Sequence, residues 1–251
     1  IGFSAGCFTF ARPLWRLARV EETVSRPGFG APIRSGGILH VSRRFIRTSV
    51  RLTTAMPRKS ERTRQKIVEA ANRLFYHRGY NRTSFSDVVG AAGVPRGNIY
   101  YYFKTKDEIL EAAIRYRTER IAQMLDGWNG SYRTPIERLH RFIEILGNSA
   151  DAIMRYGCPM GTLNTELGKD QAALQARAED LFRVFESWLS DQFAELGYAG
   201  RARDLALHLM AQGQGISVMA HVHSDPGFLR REKERLGRWV DRLADGNDDC
   251  L

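Results

Sequence analysis

The sequence predicts an all-α protein with a basic N-terminal helical head and a larger helical body. Three observations predict it. Apolar residues recur at helical spacing from Ser60 onward. No stretch alternates apolar and polar residues between hairpin turns, so no sheet is expected. Cap and breaker residues stand where helices of ordinary length should begin and end. The 251 residues can bury a full core and hold one or two domains.

Each element follows from its residues. Ser60 is the expected N-cap of the first helix, Ile67, Ala70, Ala71, Leu74 and Phe75 its apolar face, and Gly79 its stop. Thr83 is the expected cap of a short second helix that turns Phe85, Val88 and Val89 inward. Gly93 breaks the chain, and Pro95 suits the first turn of a third helix that buries Ile99 and Phe103. Thr105 caps a longer helix to about Asp126, with Asp107 and Glu108 in its first turn. Further helices are expected near 134–156, 159–167, 170–196, 201–222 and 226–245. The expected division is 1–55 outside the fold, 56–104 as head and 105–251 as body.

Residues 1–55 differ from the rest. They hold nine Arg, no Lys and two Glu, with Pro, Gly and Ser scattered through "RPGFGAPIRSGG". With no sustained period, the segment is expected to be disordered. Three readings stay open: a reading frame extended upstream of a true start at Met56, an organelle transit peptide, or a functional basic arm. The first is preferred.

The net charge of +10 is unevenly placed. Residues 1–55 carry +7, residues 56–106 carry +8, and residues 107–251 carry −5. A compact basic head on an acidic body is the layout of a polyanion binder with a second domain. No apolar run is long enough to span a membrane. Cys7, Cys158 and Cys250 lie too far apart for a zinc site or a disulfide framework, which points to a reducing, cytoplasmic setting.

Two short helices joined by a Gly-containing turn are the helix-turn-helix pattern, whose second helix enters the major groove of DNA. "RGNIYYYFKTKDEIL" (96–110) carries that second helix. Consecutive helix residues point about 100° apart, so Tyr100, Tyr101 and Tyr102 cannot share one buried face. A phenol can pack on the sugar-phosphate backbone while its hydroxyl bonds a phosphate or a base edge. Arg96 and Asn98 sit at the helix start, and Gly97 allows close backbone approach. The plainer alternative is that one tyrosine packs inside and the others are incidental.

"TSFSDVVGAAGVPRGNIYYYFKTKDEIL", with the preceding "RQKIVEAANRLFYHRGY", resembles the DNA-binding domain of the TetR family of bacterial transcriptional regulators. The resemblance covers residues 60–110 and implies that Arg96, Gly97, Asn98, Tyr100 and Tyr101 lie against base edges and nearby backbone. Thr83, Tyr102 and Lys106 would hold phosphates. The family often has His where Tyr102 stands, so a phenol there should make that contact less dependent on pH.

In the body, "YGCPMGTLNTELG" (156–168) and "LALHLMAQGQGISVMAHVHSDPGFL" resemble one broad branch of that family, in which the last two helices pair with their copies in a second subunit. Residues 201–222 are apolar on two sides: Leu205, Leu209, Ile216 and Met219 on one, Ala206, Met210, Gly213 and Ala220 on the other. A helix apolar on two sides needs two partners. Phe228, Leu236, Trp239, Val240 and Leu243 complete the expected dimer interface. Met124, Trp128, Phe142, Met154, Cys158, Met160, Leu163, Phe182, Phe185 and Trp188 are candidates for an effector pocket, although ordinary core would look similar. His221 and His223, two apart, suit solvated side chains better than a metal site. Cys158, between Gly157 and Pro159 at a helix junction, is either a space-filling thiol or a sensor of electrophiles or oxidants, as the resemblance allows.

The combined expectation is a cytoplasmic, homodimeric repressor that needs no cofactor, binds an inverted-repeat duplex and is released by a small-molecule effector. No nucleophile, base and orienter constellation suggests an enzyme. The alternatives are an accessory DNA-binding protein without an effector and a helical enzyme acting on an apolar molecule.

Overall fold

The computed structural model describes residues 59–247. Within them are eleven α-helices and one π-helical turn, in the order α1 (Lys59–Arg78), α2 (Phe85–Ala92), α3 (Arg96–Tyr102), α4 (Lys106–Ser131), α5 (Pro135–Asn148), α6 (Ala150–Tyr156), α7 (Pro159–Asp170), α8 (Ala172–Ala178), α9 (Asp180–Phe193), the π turn (Ala194–Tyr198), α10 (Ala202–His223) and α11 (Pro226–Ala244). The readings of residues 1–55, Met56, Cys7 and Cys250 fall outside the described residues.

The head is α1–α3, closed on the start of α4. Ile67, Val68, Ala71, Phe75, Tyr80, Val88, Ile99 and Phe103 are its buried centre. The chain leaves α1 at Gly79, whose φ of +86° disfavours any side chain. The cap of α2 is Ser84, not Thr83: the Ser84 hydroxyl accepts from Asp87 N–H, and Asp87 returns a bond to the Ser84 N–H, a reciprocal capping box. Ser60 lies inside α1 rather than capping it. Pro95 takes the N-cap position of α3, and Gly93, in the left-handed region at φ +62°, ends α2. Thr105 caps α4 as its sequence suggests, accepting from Glu108 N–H at 3.1 Å.

The body packs α4–α11 around Leu125, Leu139, Leu181, Leu189, Phe193, Leu205, Leu209 and Val240. Two predicted helices are broken. The 134–156 helix parts at Ser149 into α5 and α6. The 170–196 helix parts near Glu179 into α8 and α9, and Gly197 (φ +103°) ends it in the π turn. Lys233 on α11 meets Glu144 on α5 at 2.8 Å, and His140 Nε2 lies 2.6 Å from Asp241 Oδ1, so the same two helices are tied twice.

Candidate DNA-binding surface and ligand cavity

The third helix presents most of its polar side chains outward because two apolar residues fasten it. Ile99 is fully buried and Phe103 nearly so. Arg96, Gly97, Asn98, Tyr100 and Tyr101 are all exposed, Tyr101 at 77 % and Tyr100 at 43 %. Tyr100 is held at an angle by stacking on Phe85, with ring centroids 4.9 Å apart. Tyr102 is half-buried, edge-on to Tyr101 at 5.0 Å. Among the described residues, nothing beyond Gly97's own chain neighbours and helix backbone lies within 4 Å of where its Cβ would sit, so that surface is open to a partner.

The phosphate expectations fare unequally. Thr83 is fully buried, and its hydroxyl donates to Gly79 O at 2.7 Å. It braces the α1–α2 turn from inside and has no side-chain surface to offer a phosphate. The reason is local: the backbone carbonyl at the left-handed Gly79 is drawn inward and needs a donor. Lys106 is half-buried, donates to Tyr80 O at 3.1 Å and lies 4.0 Å over the Tyr80 ring. Its ammonium has further N–H donors for an incoming anion.

The body holds a cavity of about 130 Å³ between α1, α4, α5, α6, α7, α9, α10 and α11. Met124, Phe142, Ile143, Met160, Phe185, Met210 and Leu236 give it apolar walls. Tyr76, Arg117, Ser149, Cys158, Gln214 and Ser217 are its polar lining. Of the ten predicted pocket residues, Met124, Phe142, Cys158, Met160 and Phe185 line it. Trp128, Met154, Leu163, Phe182 and Trp188 do not. Trp128 and Trp188 pack edge-on at 5.7 Å, and Trp188 Nε1 donates to Asn129 Oδ1. Leu163 is buried core, Met154 packs against that core, and Phe182 faces an adjoining groove that shares Cys158 and Gln214 with the cavity. Periodicity identifies an inward side chain but not which inward side chains meet a void.

Cys158 occupies the N-cap position of α7 without a side-chain capping bond. Gln214 Nε2 lies 3.3 Å from its sulfur. His221 Nδ1 meets Met154 O at 2.9 Å, and His223 is exposed beyond it. Among the described residues, no three His, Cys, Asp or Glu side chains group as metal ligands would.

Sequence reasoning missed the joint between cavity and head. Tyr76, near the end of α1, lines the cavity and donates to Gly157 O at 3.0 Å. Burial pushes its phenol well above the ordinary tyrosine range. Arg117 on α4 donates to Asn72 Oδ1 on α1 through Nε at 3.0 Å, and to Pro159 O through Nη1 at 3.0 Å. Glu166, two turns along α7, accepts Tyr80 N–H at 2.9 Å and Asn81 N–H at 2.7 Å. Thus α7 lines the cavity with its first residues and holds the α1–α2 turn with its second half. A Cβ at Gly79 would come within 3.0 Å of the Glu166 carboxylate and would push on it, beside the strain of the positive φ. A Glu 86 residues away from its partner leaves no local signal.

The expected dimer residues are mostly spent inside the subunit. Leu205, Leu209, Ile216, Leu236, Trp239, Val240 and Leu243 are buried in the core, because α10 packs on α6, α9 and α11 at once. Gly213 lines the cavity and Phe228 is half-buried. Only Met219 of that set is exposed. It joins a row the sequence reading did not single out: Leu207, Ala211, Gly215, Val218 and Val222 follow one another up a single exposed face of α10. The outer face of α11 carries Arg230, Arg231, Arg235, Arg238 and Arg242 instead.

Residues 67–113 match the family "Bacterial regulatory proteins, tetR family", and residues 135–235 match "Transcriptional regulator LmrA/YxaF-like, C-terminal domain". An HTH-type transcriptional regulator from the lacX 3' region of Lactococcus lactis subsp. lactis is 28 % identical over 73 % of this chain and 95 % of its own length. The HTH-type transcriptional repressor DhaR of a Mycobacterium species is 27 % identical over 59 % of this chain and 74 % of its own. The crystal structure of a TetR transcriptional regulator from Legionella pneumophila shares the fold, with a TM-score of 0.63 at 22 % identity over 75 % of this chain and 98 % of that one.

Proposed function

This chain belongs to the TetR family of bacterial transcriptional regulators, and we propose that it is a homodimeric repressor released from its operator by a small molecule. Arg96, Asn98, Tyr100 and Tyr101, exposed on a helix anchored by Ile99 and Phe103, carry this reading. Arg and Asn can each pair two ways with a base edge, and two rigid phenols flank them. Tyr102 and Lys106 take backbone phosphates, and Thr83 acts only as a brace.

The proposed dimer forms by covering the exposed apolar row of α10 with its copy. That row is long and continuous, and a charged α11 beside it supplies a polar rim. Two heads then meet successive major grooves, so the operator is an inverted repeat. Among the described residues no helix is long and apolar enough to cross a membrane, in keeping with a cytoplasmic regulator.

The proposed release is a population shift. A ligand in the cavity presses on Pro159 and Met160, α7 moves, and Glu166 carries the α1–α2 turn with it. The spacing of the two heads then no longer fits the DNA. The relative DhaR, named a repressor, favours repression over activation. The test is a gel-shift on the DNA upstream of the chain's own gene, with and without candidate ligands. A two-fold-symmetric shift abolished by a cavity ligand is expected. A shift indifferent to every ligand that binds the cavity would remove the effector half of the proposal.

A further inference from the structure

We propose that the cavity takes an apolar molecule bearing one anionic oxygen group, a carboxylate foremost, with Arg117 as its anchor. This deepens the effector reading above and rests on it. Arg117 lines a cavity whose other walls are mainly hydrocarbon. A guanidinium stays charged at neutral pH, and burial lowers its pKa only to about 10. Yet among the described residues no carboxylate stands within ion-pair distance of it. Its partners are the neutral oxygens of Asn72 and Pro159. A guanidinium carries five N–H donors, and those three bonds leave two unassigned. A charged group in apolar surroundings is costly unless an opposite charge meets it. Beside the Cys158 thiol and the Tyr76 phenol, a ligand carboxylate is the partner that no described Asp or Glu supplies.

A second observation is independent of Arg117. Ser149, at the α5–α6 break, lines the same cavity, is 5 % exposed, and its hydroxyl has no hydrogen-bond partner among the described residues. Buried hydroxyls are rarely left so. Phe142 and Phe185 meet edge-on at 5.4 Å in the cavity wall, which suits a flat ring. The recognised class is therefore an aryl or branched alkyl acid, the charge on Arg117 and the hydrocarbon between α5, α9 and α11. A polar substituent on its far side would satisfy Ser149.

The competing account makes Arg117 only a brace between α1, α4 and α7. Calorimetry on the full chain without DNA separates the two. The probes are benzoate, 4-tert-butylbenzoate and 2-naphthoate, each paired with its neutral primary amide. At least one acid is expected to bind about tenfold or more tightly than its amide, a charge-assisted pair against a neutral one. Arg117→Met should erase that preference and Arg117→Lys should keep part of it. Because Arg117→Met also strips Asn72 of a donor, a second readout uses the unaltered protein. Bound acid should slow iodoacetamide labelling of Cys158 more than the amide does, read by mass spectrometry of its peptide. Equal binding of every acid and amide, tighter binding of the amides, or no binding by any probe would overturn the anion site. The gel-shift with operator alone is untouched by these outcomes, so failure here is distinguishable from failure of the DNA-binding reading.

Discussion

Replacing Glu166 with Ala tests the joint on which the release mechanism depends. Its carboxylate receives two backbone N–H groups from the turn that connects α1 to α2, at 2.9 Å from Tyr80 and 2.7 Å from Asn81. Hydrogen bonds to a charged group contribute about 1.5–3 kcal/mol when partly shielded. The Tyr80 bond is of that kind. The Asn81 bond is exposed, where water replaces the lost acceptor, and about 0.5 kcal/mol is reasonable for it. The sum is about 2–3.5 kcal/mol, and in a chain of this length each kcal/mol lowers Tm by about 2–4 °C. Glu166→Ala should therefore lower Tm by about 4–14 °C. Glu166→Gln keeps one acceptor and turns an N–H₂ toward the other donor, so it should fall between. Thermal unfolding must be read at one protein concentration, because association shifts Tm. Amide exchange locates the effect: protection at Tyr80 and Asn81 should drop while Leu205 and Val240 stay as they were. A Tm within 1 °C of the parent, with unchanged exchange at Tyr80 and Asn81, would refute the claim that α7 holds the head.

Other perturbations separate the remaining roles. Thr83→Val should cost about 1 kcal/mol of stability by removing the donor to Gly79 O, with operator affinity at 25 °C little changed; a selective loss of DNA affinity in equilibrium titration would return Thr83 to the phosphate contacts. Lys106→Ala should weaken all DNA sequences alike and lower the log–log salt slope by about one, measured by fluorescence anisotropy from low to moderate salt. Val218→Asp, placed in the exposed α10 row, should give a monomer in light scattering with α-helix content intact, because burying an unpaired carboxylate costs more than one side chain's contacts return. The caps also set an acid limit. The Asp87 and Glu137 carboxyls are held below their ordinary range by bonds from Ser84 and Thr134, so the stability they add is present above the ordinary carboxylate range and is lost as pH falls through their lowered values. Chemical denaturation of Ser84→Ala from pH 6 to pH 2.5 should show a shallower acid loss than the parent.

The sequence carried the helices and the head further than it carried the body's sites. Caps such as Thr105 and stops such as Gly79 and Gly93 are local, and each acts within a few residues of where it is read. The α3 residues were legible for the same reason: Ile99 and Phe103, four apart, fix which side faces in, and everything else follows by rotation. Thr83 was misread because Thr and Ser stand side by side before α2 and either can cap. Only the backbone decides that Ser84 does so while Thr83 turns inward. The cavity was half legible, since Met160 and Leu163 read alike until the surrounding helices show which of them meets the void. The exposed apolar row of α10 was missed for a related reason. A helix with small and large apolar residues all round does not say which sides its own subunit will consume, and α10 buries most of both predicted sides, Met219 excepted. Arg117 and Glu166 were silent. Their partners lie 45 and 86 residues away, and charged side chains on a helix ordinarily face water.

Asn98→Ala tests the central claim most directly, measured by equilibrium anisotropy on the native upstream duplex and on a scrambled duplex of equal length. Asn98 is exposed at the start of α3, with no charge to alter nonspecific attraction. The account predicts a loss of about 1–3 kcal/mol on the native duplex and no change on the scrambled one, because a base-edge contact is made only on the former. Equal affinity of parent and variant for the native duplex, or an equal loss on both duplexes, would contradict the placement of α3 in the major groove.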